Sequence, residues 1–252
     1  MEREFNRKPE WWQEFFKSSW KEIQQLVRTP EQTQKEADFI EAVLDVVPPA
    51  RMVDIPCGDG RLAVELAARG YRVTGVDLSR YFLKRAEKRA NARGVEVAFH
   101  RGDMRMISWE DTHQAAFCMW GSFGYFDARG DADFIGAVSR SLRKGGSFLL
   151  DIHVAETLFP RYRESSWSRV GEFIILEKRS YEHTTSRIEV DWTFIHEARR
   201  STQHSSIRIY TYREILNLLR KYQFGDFRAF GSLAREPFEL GSPRCLLAAV
   251  KS

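Results

Sequence analysis

Short apolar segments alternate with helix-like segments between residues 52 and 152, and this alternation limits the possible folds more than any other feature of the sequence. The predicted strands are residues 52–55, 72–76, 95–99, 115–120 and 147–152, and the predicted helices are residues 61–69, 79–93 and 131–143. Such an alternation predicts a parallel sheet with helices on both faces. The fourth strand segment is strongly apolar and is therefore expected to lie at the centre of the sheet.

The first 47 residues are predicted to be helical and are rich in aromatic side chains. The apolar residues that recur there at helical spacing are Trp11, Trp12, Phe15, Phe16, Trp20, Ile23, Leu26 and Val27. After a break at residues 29–30, Thr33 is expected to cap a second helix, with Glu36 completing a capping box. The proline pair at residues 48–49 ends this helix.

A different pattern follows the fifth predicted strand, because successive β-rich segments replace the strand–helix alternation. The predicted strands of this antiparallel meander are residues 173–179, 188–195 and 206–210, with a polar turn at residues 183–186. The remaining predicted elements are a helix at residues 212–222 and two strands at residues 227–230 and 246–250.

Composition and charge exclude several classes of protein. The chain has 252 residues, enough to bury a full core, but no run of about 18 apolar residues that could span a membrane. Its first ten residues are charged and predict no secretory signal. The net charge is +4, but 35 acidic residues are interspersed with the basic ones, which indicates a charged surface rather than nucleic-acid binding. Three widely separated cysteines indicate that the protein has neither a disulfide framework nor a zinc site. They predict a cytoplasmic location.

The most specific local feature is a strand that runs into a glycine-rich loop and then a helix. In residues 53–62, Val-Asp-Ile-Pro-Cys-Gly-Asp-Gly-Arg-Leu, the glycines would let the backbone and the helix N-terminus approach a ligand. Asp77 stands at the end of the second predicted strand, where a carboxylate can accept two ribose hydroxyl groups. Gly102 and Asp103 follow the third predicted strand. All these residues are at carboxyl ends of parallel strands, where open α/β sheets bind ligands.

These residues resemble the motifs of class I S-adenosylmethionine-dependent methyltransferases. Asp54 and the two loop glycines match the family's first motif, which is an acid followed by three alternating glycines. Pro56 replaces the first of these glycines. The resemblance implies that Asp77 binds the ribose and Asp103 the adenine amino group of S-adenosylmethionine. The implied cofactor-binding residues are Asp54, Pro56, Cys57, Gly58, Gly60, Asp77, Leu78, Gly102, Asp103, Met104, Met119 and Trp120. The implied product is S-adenosylhomocysteine, and no metal is expected.

A nicotinamide dinucleotide site is the alternative interpretation of the glycine loop. Gly58, Gly60 and Ala63 fit the Rossmann fingerprint, and Asp77 would again bind the ribose. That interpretation leaves the acid before the loop and the acid after the third strand without a role. It also predicts a second mononucleotide-binding half where this chain has a meander, so methyl transfer is favoured.

The segment after the central predicted strand is expected to face the transferred methyl group. Residues 119–126, Met-Trp-Gly-Ser-Phe-Gly-Tyr-Phe, resemble the Ser-Phe-Gly-Tyr-Phe segment of a bacterial and archaeal subgroup that acts mostly on small molecules. The Asn/Asp-Pro-Pro-Tyr/Phe motif typical of enzymes that methylate exocyclic amines of nucleic acids or glutamine amides is absent from this segment. So are the acids that metal-dependent O-methyltransferases need near this loop.

The residues that contact the methyl acceptor are less predictable than those that bind the cofactor. The candidate catalytic residues are Tyr125, His153 and Tyr210, and the candidate lid or substrate residues are Trp11, Trp12 and Phe123. An imidazole such as that of His153 can accept a proton near neutral pH. A structural role is the alternative for His153, an aromatic wall for Tyr125, and core packing for the N-terminal aromatic residues.

The sequence thus predicts a single α/β domain. Its fold class is a three-layer sandwich around a seven-stranded, mostly parallel sheet with an antiparallel last strand. Residues 1–47 are expected to form an N-terminal helical lid, and residues 48–154 and 211–252 the cofactor-binding core. Residues 155–210 are expected to be an antiparallel β insertion, either a substrate cap or a contact with a second copy.

The predicted function is methyl transfer from S-adenosylmethionine to a nitrogen or oxygen of a small molecule by direct displacement. Nucleic-acid and membrane partners are not expected, and the protein is expected to be a monomer or homodimer. An RNA or protein methyltransferase and a non-catalytic cofactor-binding regulator are the alternatives. An NAD-dependent oxidoreductase is a remote one.

Overall fold

The computed structural model describes residues 10–252, so the predicted absence of a secretory signal concerns residues that lie, except for Glu10, outside this range. None of the helices in residues 10–252 is both long and apolar enough to cross a membrane. The chain forms two compact units. The larger unit comprises Pro30–Arg161 and Tyr210–Ser252, and the smaller unit comprises residues 10–29 and Tyr162–Ile209.

Residues 10–252 form eleven strands and eight α-helices. The strands are β1 (Arg51–Asp54), β2 (Arg72–Asp77), β3 (Ala98–Arg101), β4 (His113–Cys118), β5 (Leu142–Ile152), β6 (Ser165–Val170), β7 (Phe173–Glu182), β8 (Arg187–His196), β9 (Arg199–Arg208), β10 (Phe224–Phe230) and β11 (Cys245–Lys251). The helices are α1 (Trp11–Phe15), α2 (Trp20–Val27), α3 (Pro30–Leu44), α4 (Arg61–Ala68), α5 (Arg80–Arg93), α6 (Ala128–Ser141), α7 (Ala155–Leu158) and α8 (Tyr212–Lys221). Short 3₁₀ helices lie at Met104–Met106 and Phe159–Arg161.

A seven-stranded sheet forms the larger unit, with the strand order β10–β11–β5–β4–β1–β2–β3. Strands β1 to β5 pair in parallel, whereas β11 runs antiparallel to both β5 and β10. This arrangement confirms the predicted mostly parallel sheet with an antiparallel last strand. Strand β4 is the fourth of the seven and is buried along nearly its whole length, which confirms its predicted central position.

Helix α3 begins earlier than the sequence predicts. Pro30 is its first residue, a position where the fixed φ of proline suits a helix and the missing N–H is not needed. Thr33 and Glu36 therefore lie inside α3, and the predicted capping box between them is wrong. Both side chains instead bind the guanidinium of Arg61, which donates to Thr33 Oγ1 at 3.1 Å and to the Glu36 carboxylate.

The smaller unit contains a four-stranded antiparallel sheet with the order β6–β7–β8–β9. The sequence predicts the antiparallel meander and the turn at residues 183–186, but only three of the four strands. Strand β6 was not predicted because it alternates serine with Trp167 and Arg169 and buries none of its residues fully, so it has no apolar stripe. The predicted strand at residues 206–210 is the second half of the longer β9.

Helices α1 and α2 belong to the smaller unit and pack on its sheet through apolar side chains. Phe15 and Ile23 are buried together with Phe194. The ring centroids of Trp20 and Trp192 lie 5.5 Å apart. Core packing therefore accounts for several of the N-terminal aromatic residues. A lid role for Trp11 and Trp12 stays a prediction.

His113 is a buried histidine at the start of β4. Its ring lies 5.4 Å from that of Trp109, and its Nδ1 has no hydrogen-bond partner in residues 10–252. Burial lowers the pKa of His113 to about 4, although a hydrogen bond with the Ser141 backbone opposes this shift. The ring is therefore neutral in the folded protein at neutral pH.

We expect His113 to make the protein less stable in acid. Because the pKa of His113 is lower in the folded than in the unfolded chain, the neutral ring contributes fully to the free energy of unfolding above about pH 6.5. This contribution is lost as the pH falls toward 4. It amounts to about 3 kcal/mol of unfolding free energy. Urea unfolding at about pH 7 and pH 4 should show a smaller pH dependence for His113→Gln than for the wild type. The control His100→Gln, which changes an exposed histidine, should behave like the wild type. An unchanged pH dependence in His113→Gln would contradict the assignment.

Candidate cofactor and acceptor site

The glycine-rich loop leads from the carboxyl end of β1 into α4. Gly58 and Gly60 have φ angles of 55° and 71°, in the left-handed region that favours glycine. A Cβ at residue 60 would lie 2.6 Å from the Cβ of Ala86 in α5, so close packing also requires glycine there. Pro56 lies half-buried in the same loop. Both predicted glycines therefore have a structural reason for their positions.

Asp77 links the end of β2 to this loop. Its Oδ2 accepts the N–H of Gly58 at 2.9 Å, and its Oδ1 accepts the N–H of Ser79 at 2.7 Å. A carboxylate offers about four lone-pair sites, so an oxygen that accepts one backbone N–H can also accept a hydroxyl group of a ligand. The neighbouring Leu78 is exposed. Asp77 thus orders the loop and remains chemically suited to bind a ribose.

Asp103 forms a side-chain pair with Arg105 just beyond β3. The Nε of Arg105 donates to Asp103 Oδ1 at 3.0 Å, and its Nη2 donates to Oδ2 at 2.6 Å. The guanidinium also stacks over the ring of Phe126 at 4.0 Å. Burial acts to raise the pKa of Asp103, but the hydrogen bonds and charge of Arg105 outweigh it. The pKa is therefore lowered overall, and the carboxylate is ionised. Arg105 was not among the predicted site residues, although its position two residues after the predicted adenine-binding acid was a usable signal.

The backbone beside Asp103 is open around Gly102. A Cβ at Gly102 would meet only the Cγ1 of Val76, at 4.0 Å. Met104 is buried next to it, and the exposed Leu78 follows the adjacent strand. An open backbone, apolar side chains and carboxylates on neighbouring strand ends fit the adenosine part of S-adenosylmethionine.

Trp120 follows the central strand β4 and is held by several groups. Its φ is 66°, which is unusual for a residue with a side chain. Its backbone N–H donates to Asp151 Oδ2 at 2.7 Å, and its indole N–H donates to Glu36 Oε2 at 3.1 Å. The guanidinium of Arg61 lies 5.3 Å from its ring centroid. Sequence reasoning missed all three partners as site residues, because their charges come together only in the folded chain.

Buried groups surround the end of β1 next to Trp120. Asp54 is 2% exposed and Met119 is buried. Burial raises the pKa of the Cys57 thiol well above its usual value, and the nearby carboxylates of Asp54 and Asp77 raise it further. Cys57 is thus a neutral thiol rather than a nucleophile. Cys118 and Cys245 are likewise free and buried.

His153 lies at the carboxyl end of β5, beside the loop that follows β4. A Cβ at Gly121 would lie 2.7 Å from its Nε2, so the glycine gives the imidazole its space. The side chain is accessible to solvent. Desolvation by the surrounding protein lowers the pKa of His153, while Asp151 raises it and Arg244 lowers it. The ring is therefore a neutral proton acceptor at pH 7.

The other acceptor-side candidates have different surroundings. Tyr210 is buried, and its hydroxyl donates to Asp131 Oδ2 at 2.9 Å. Phe123 is also buried, with its ring centroid 5.6 Å from that of Tyr210. Tyr125 is half-buried. Contact of these residues with an acceptor stays a prediction.

The larger unit thus brings the predicted cofactor residues to one edge of its sheet. Asp54, Asp77, Asp103 and Trp120 stand at or just beyond the carboxyl ends of β1, β2, β3 and β4. The candidate lid residues Trp11 and Trp12 belong to the smaller unit. Within residues 10–252, no group of three or more His, Cys, Asp or Glu side chains is arranged to hold a metal ion.

Comparisons with known proteins agree on one type of domain. Residues 52–146 match a family model described as a methyltransferase domain. A putative methyltransferase, YqeM of Bacillus subtilis (strain 168), is 28% identical over 126 residues, which cover 49% of this chain and 51% of that protein. The matched segment spans about half the length of this relative, and less of the next one.

Solved structures extend the likeness of fold to nearly the whole chain. A S-adenosylmethionine-dependent methyltransferase from Clostridium acetobutylicum has a TM-score of 0.79 at 18% identity, covering 93% of this chain and 100% of that one. CalS10, an amino pentose methyltransferase from Micromonospora echinaspora, has a TM-score of 0.71 at 20% identity, covering 93% and 97%. The methyltransferase-domain match of residues 52–146 and the likeness of fold agree with the resemblance of the site residues to class I S-adenosylmethionine-dependent methyltransferases.

Proposed function

We propose that this protein transfers the methyl group of S-adenosylmethionine to a nitrogen or oxygen atom of a small molecule. The observation that carries the proposal is the row of acids along one sheet edge. Asp54 and Asp77 end β1 and β2, Asp103 lies just beyond the adjacent β3, and the loop after β4 completes the row. CalS10 is described as an amino pentose methyltransferase, which supports a small acceptor here.

The residues along this edge divide the recognition of the cofactor among them. Asp77 binds the ribose hydroxyls, and Asp103, held by Arg105, binds the adenine amino group. Leu78 and Met104 contact the adenine faces. Backbone atoms of Cys57, Met119 and Trp120 line the methionine end. These carboxylates and backbone amides match the polar groups of the cofactor.

The chemical step requires positioning and, for a protonated acceptor, one base. The bound cofactor supplies an electrophilic methyl group on a positively charged sulfur. With that methyl group bound, the acceptor atom would form a bond to the methyl carbon as the carbon–sulfur bond breaks and the sulfur leaves as a neutral thioether, and the neutral imidazole of His153 would accept the acceptor proton. Holding these atoms in line supplies much of the rate. His153 is the base of choice because it is both accessible and neutral.

Uptake of label decides the class of acceptor. The protein is incubated with S-adenosylmethionine labelled on its methyl group and with separate fractions of small metabolites, RNA and protein. We expect label in the small-metabolite fraction. Label only in RNA or protein would contradict a small acceptor. No label in any fraction, together with tight S-adenosylhomocysteine binding, would indicate a non-catalytic regulator.

Asp77→Ala should weaken the binding of S-adenosylhomocysteine by more than tenfold. Loss of a charge-assisted hydrogen bond to ribose corresponds to roughly 1.4 kcal/mol or more. Isothermal titration calorimetry measures the difference. Asp133→Ala is the matched control, because Asp133 is an exposed acid in the same unit, and it should bind like the wild type. Unchanged affinity in Asp77→Ala would refute the ribose assignment.

His153→Gln should lower kcat by about 10² to 10⁴-fold, the usual contribution of a general base, and leave S-adenosylhomocysteine affinity unchanged. Because the pKa of His153 is lowered, the wild-type rate should be constant above about pH 6.5 and fall only in more acidic solution. Initial rates with the acceptor found by label uptake give both profiles. The variant should lack the acidic fall, and His100→Gln should retain it. A variant that keeps the wild-type profile would exclude His153 as the base.

A further inference from the structure

Arg244 lies outside every cofactor loop, immediately before β11, yet its guanidinium reaches two buried carboxylates. It donates to Asp151 at the end of β5 through Nη2, and its Nε lies 3.4 Å from Asp151 Oδ1. Its Nη1 is 3.6 Å from Glu36 Oε1 in α3. Strand β11 runs antiparallel to β5, with Cys245 opposite Ile152, and this pairing places Arg244 at the carboxyl edge of the parallel strands. One side chain thus joins three distant segments of the larger unit.

Glu36 belongs to a cluster of charged residues that also contains Arg61, Asp151 and Arg244. Its side chain is 0% exposed and pairs with Arg61, whose side chain is 6% exposed. The Nε2 of Gln32 also donates to Glu36 Oε1, at 3.1 Å. Buried charges are costly unless opposite charges and hydrogen bonds compensate them. The pairs Glu36–Arg61 and Asp151–Arg244 provide this compensation, and the 3.6 Å contact between Arg244 and Glu36 joins them.

Both acids of the cluster hold the same residue, Trp120. Asp151 accepts its backbone N–H, and Glu36 accepts its indole N–H. Trp120 has a left-handed φ of 66°, and Gly121 follows at 63°. A residue other than glycine holds such a conformation only where surrounding contacts fix it. The conformation of residues 119–121 therefore depends on where Asp151 and Glu36 are held.

We propose that Arg244 is a positioning residue for the methionine end of the cofactor site, acting through Asp151 and Glu36 on Trp120. The inference rests on the proposed function, in which backbone atoms of Met119 and Trp120 line that end. The guanidinium fork is suited to the task, because its planar set of donors can serve two carboxylates at once. A lysine ammonium is a single point charge and cannot reproduce that geometry.

The test compares Arg244→Lys with Arg69→Lys. Arg69 is a matched control, because it also binds several carboxylates and its side chain is 21% exposed, against 25% for Arg244. The proteins are labelled with 5-fluorotryptophan, and the Trp120 resonance is assigned with Trp120→Phe. Calorimetry measures the affinity for S-adenosylhomocysteine and for 5′-methylthioadenosine, which lacks the amino-acid part.

In Arg244→Lys we expect the Trp120 resonance to shift and S-adenosylhomocysteine affinity to fall at least tenfold. The affinity for 5′-methylthioadenosine should change less than twofold, because the adenosine residues are untouched. Arg69→Lys should change none of these quantities. An unmoved Trp120 resonance, or equal losses for both ligands, would overturn the proposal, since a merely structural role predicts no selective loss.

A second variant keeps the proposal testable if Arg244→Lys does not fold. Asp151→Asn retains an oxygen that can accept the Trp120 N–H but removes the charge that binds Arg244. We expect the same selective loss to a smaller degree, and no selective loss would overturn the proposal. A wild-type protein that binds neither ligand would refute the proposed function instead. The Trp120 resonances would still decide whether Arg244 positions Trp120.

Discussion

The hydrogen bond between the Gly58 N–H and the Asp77 carboxylate, at 2.9 Å, joins the two loops on which the site depends. It forms because β1 and β2 pair in parallel, with Asp54 opposite Gly75, so both chains leave the sheet at the same edge. The left-handed Gly58 turns its N–H toward β2. Parallel pairing thus determines which residues can meet, and the positive-φ glycines let the backbone complete the contact.

Local sequence patterns predicted most of the larger unit. Predictions failed where contacts with residues distant in the sequence determine the structure. Strands such as β4 are apolar segments bounded by turns, and that signal is contained within each segment. The Thr33 and Glu36 spacing also fits a capping box, but Arg61 binds both side chains inside α3. Strand β6 lacks an apolar stripe, and its hydrogen-bonded pairing with β7 cannot be seen in its own sequence.

The residues of the candidate site also divide into those that a local sequence pattern predicted and those that it did not. The positions of Asp77 and Asp103 could be predicted because each stands at or just beyond the end of a strand and the fold sets their relative positions. The cluster around Trp120 could not, because the two residues that accept its backbone and indole N–H groups lie 31 and 84 positions away along the chain. A sequence pattern identifies a charged residue in a buried element, but not which opposite charge compensates it. Only the folded chain shows that these charges surround one tryptophan.

Two of the acceptor-side candidates, Tyr210 and His153, differ in whether they can accept a proton. The Tyr210 hydroxyl already donates to the buried Asp131, so taking a proton from a substrate would require breaking that bond. His153 has a lowered pKa, an accessible ring and a position beside Gly121. The buried Asp151 lies two residues before His153, and it holds Trp120 while Arg244 binds it. The same strand end therefore carries the proposed base and holds the loop that we propose lines the cofactor, so one support would serve both proton transfer and methyl transfer.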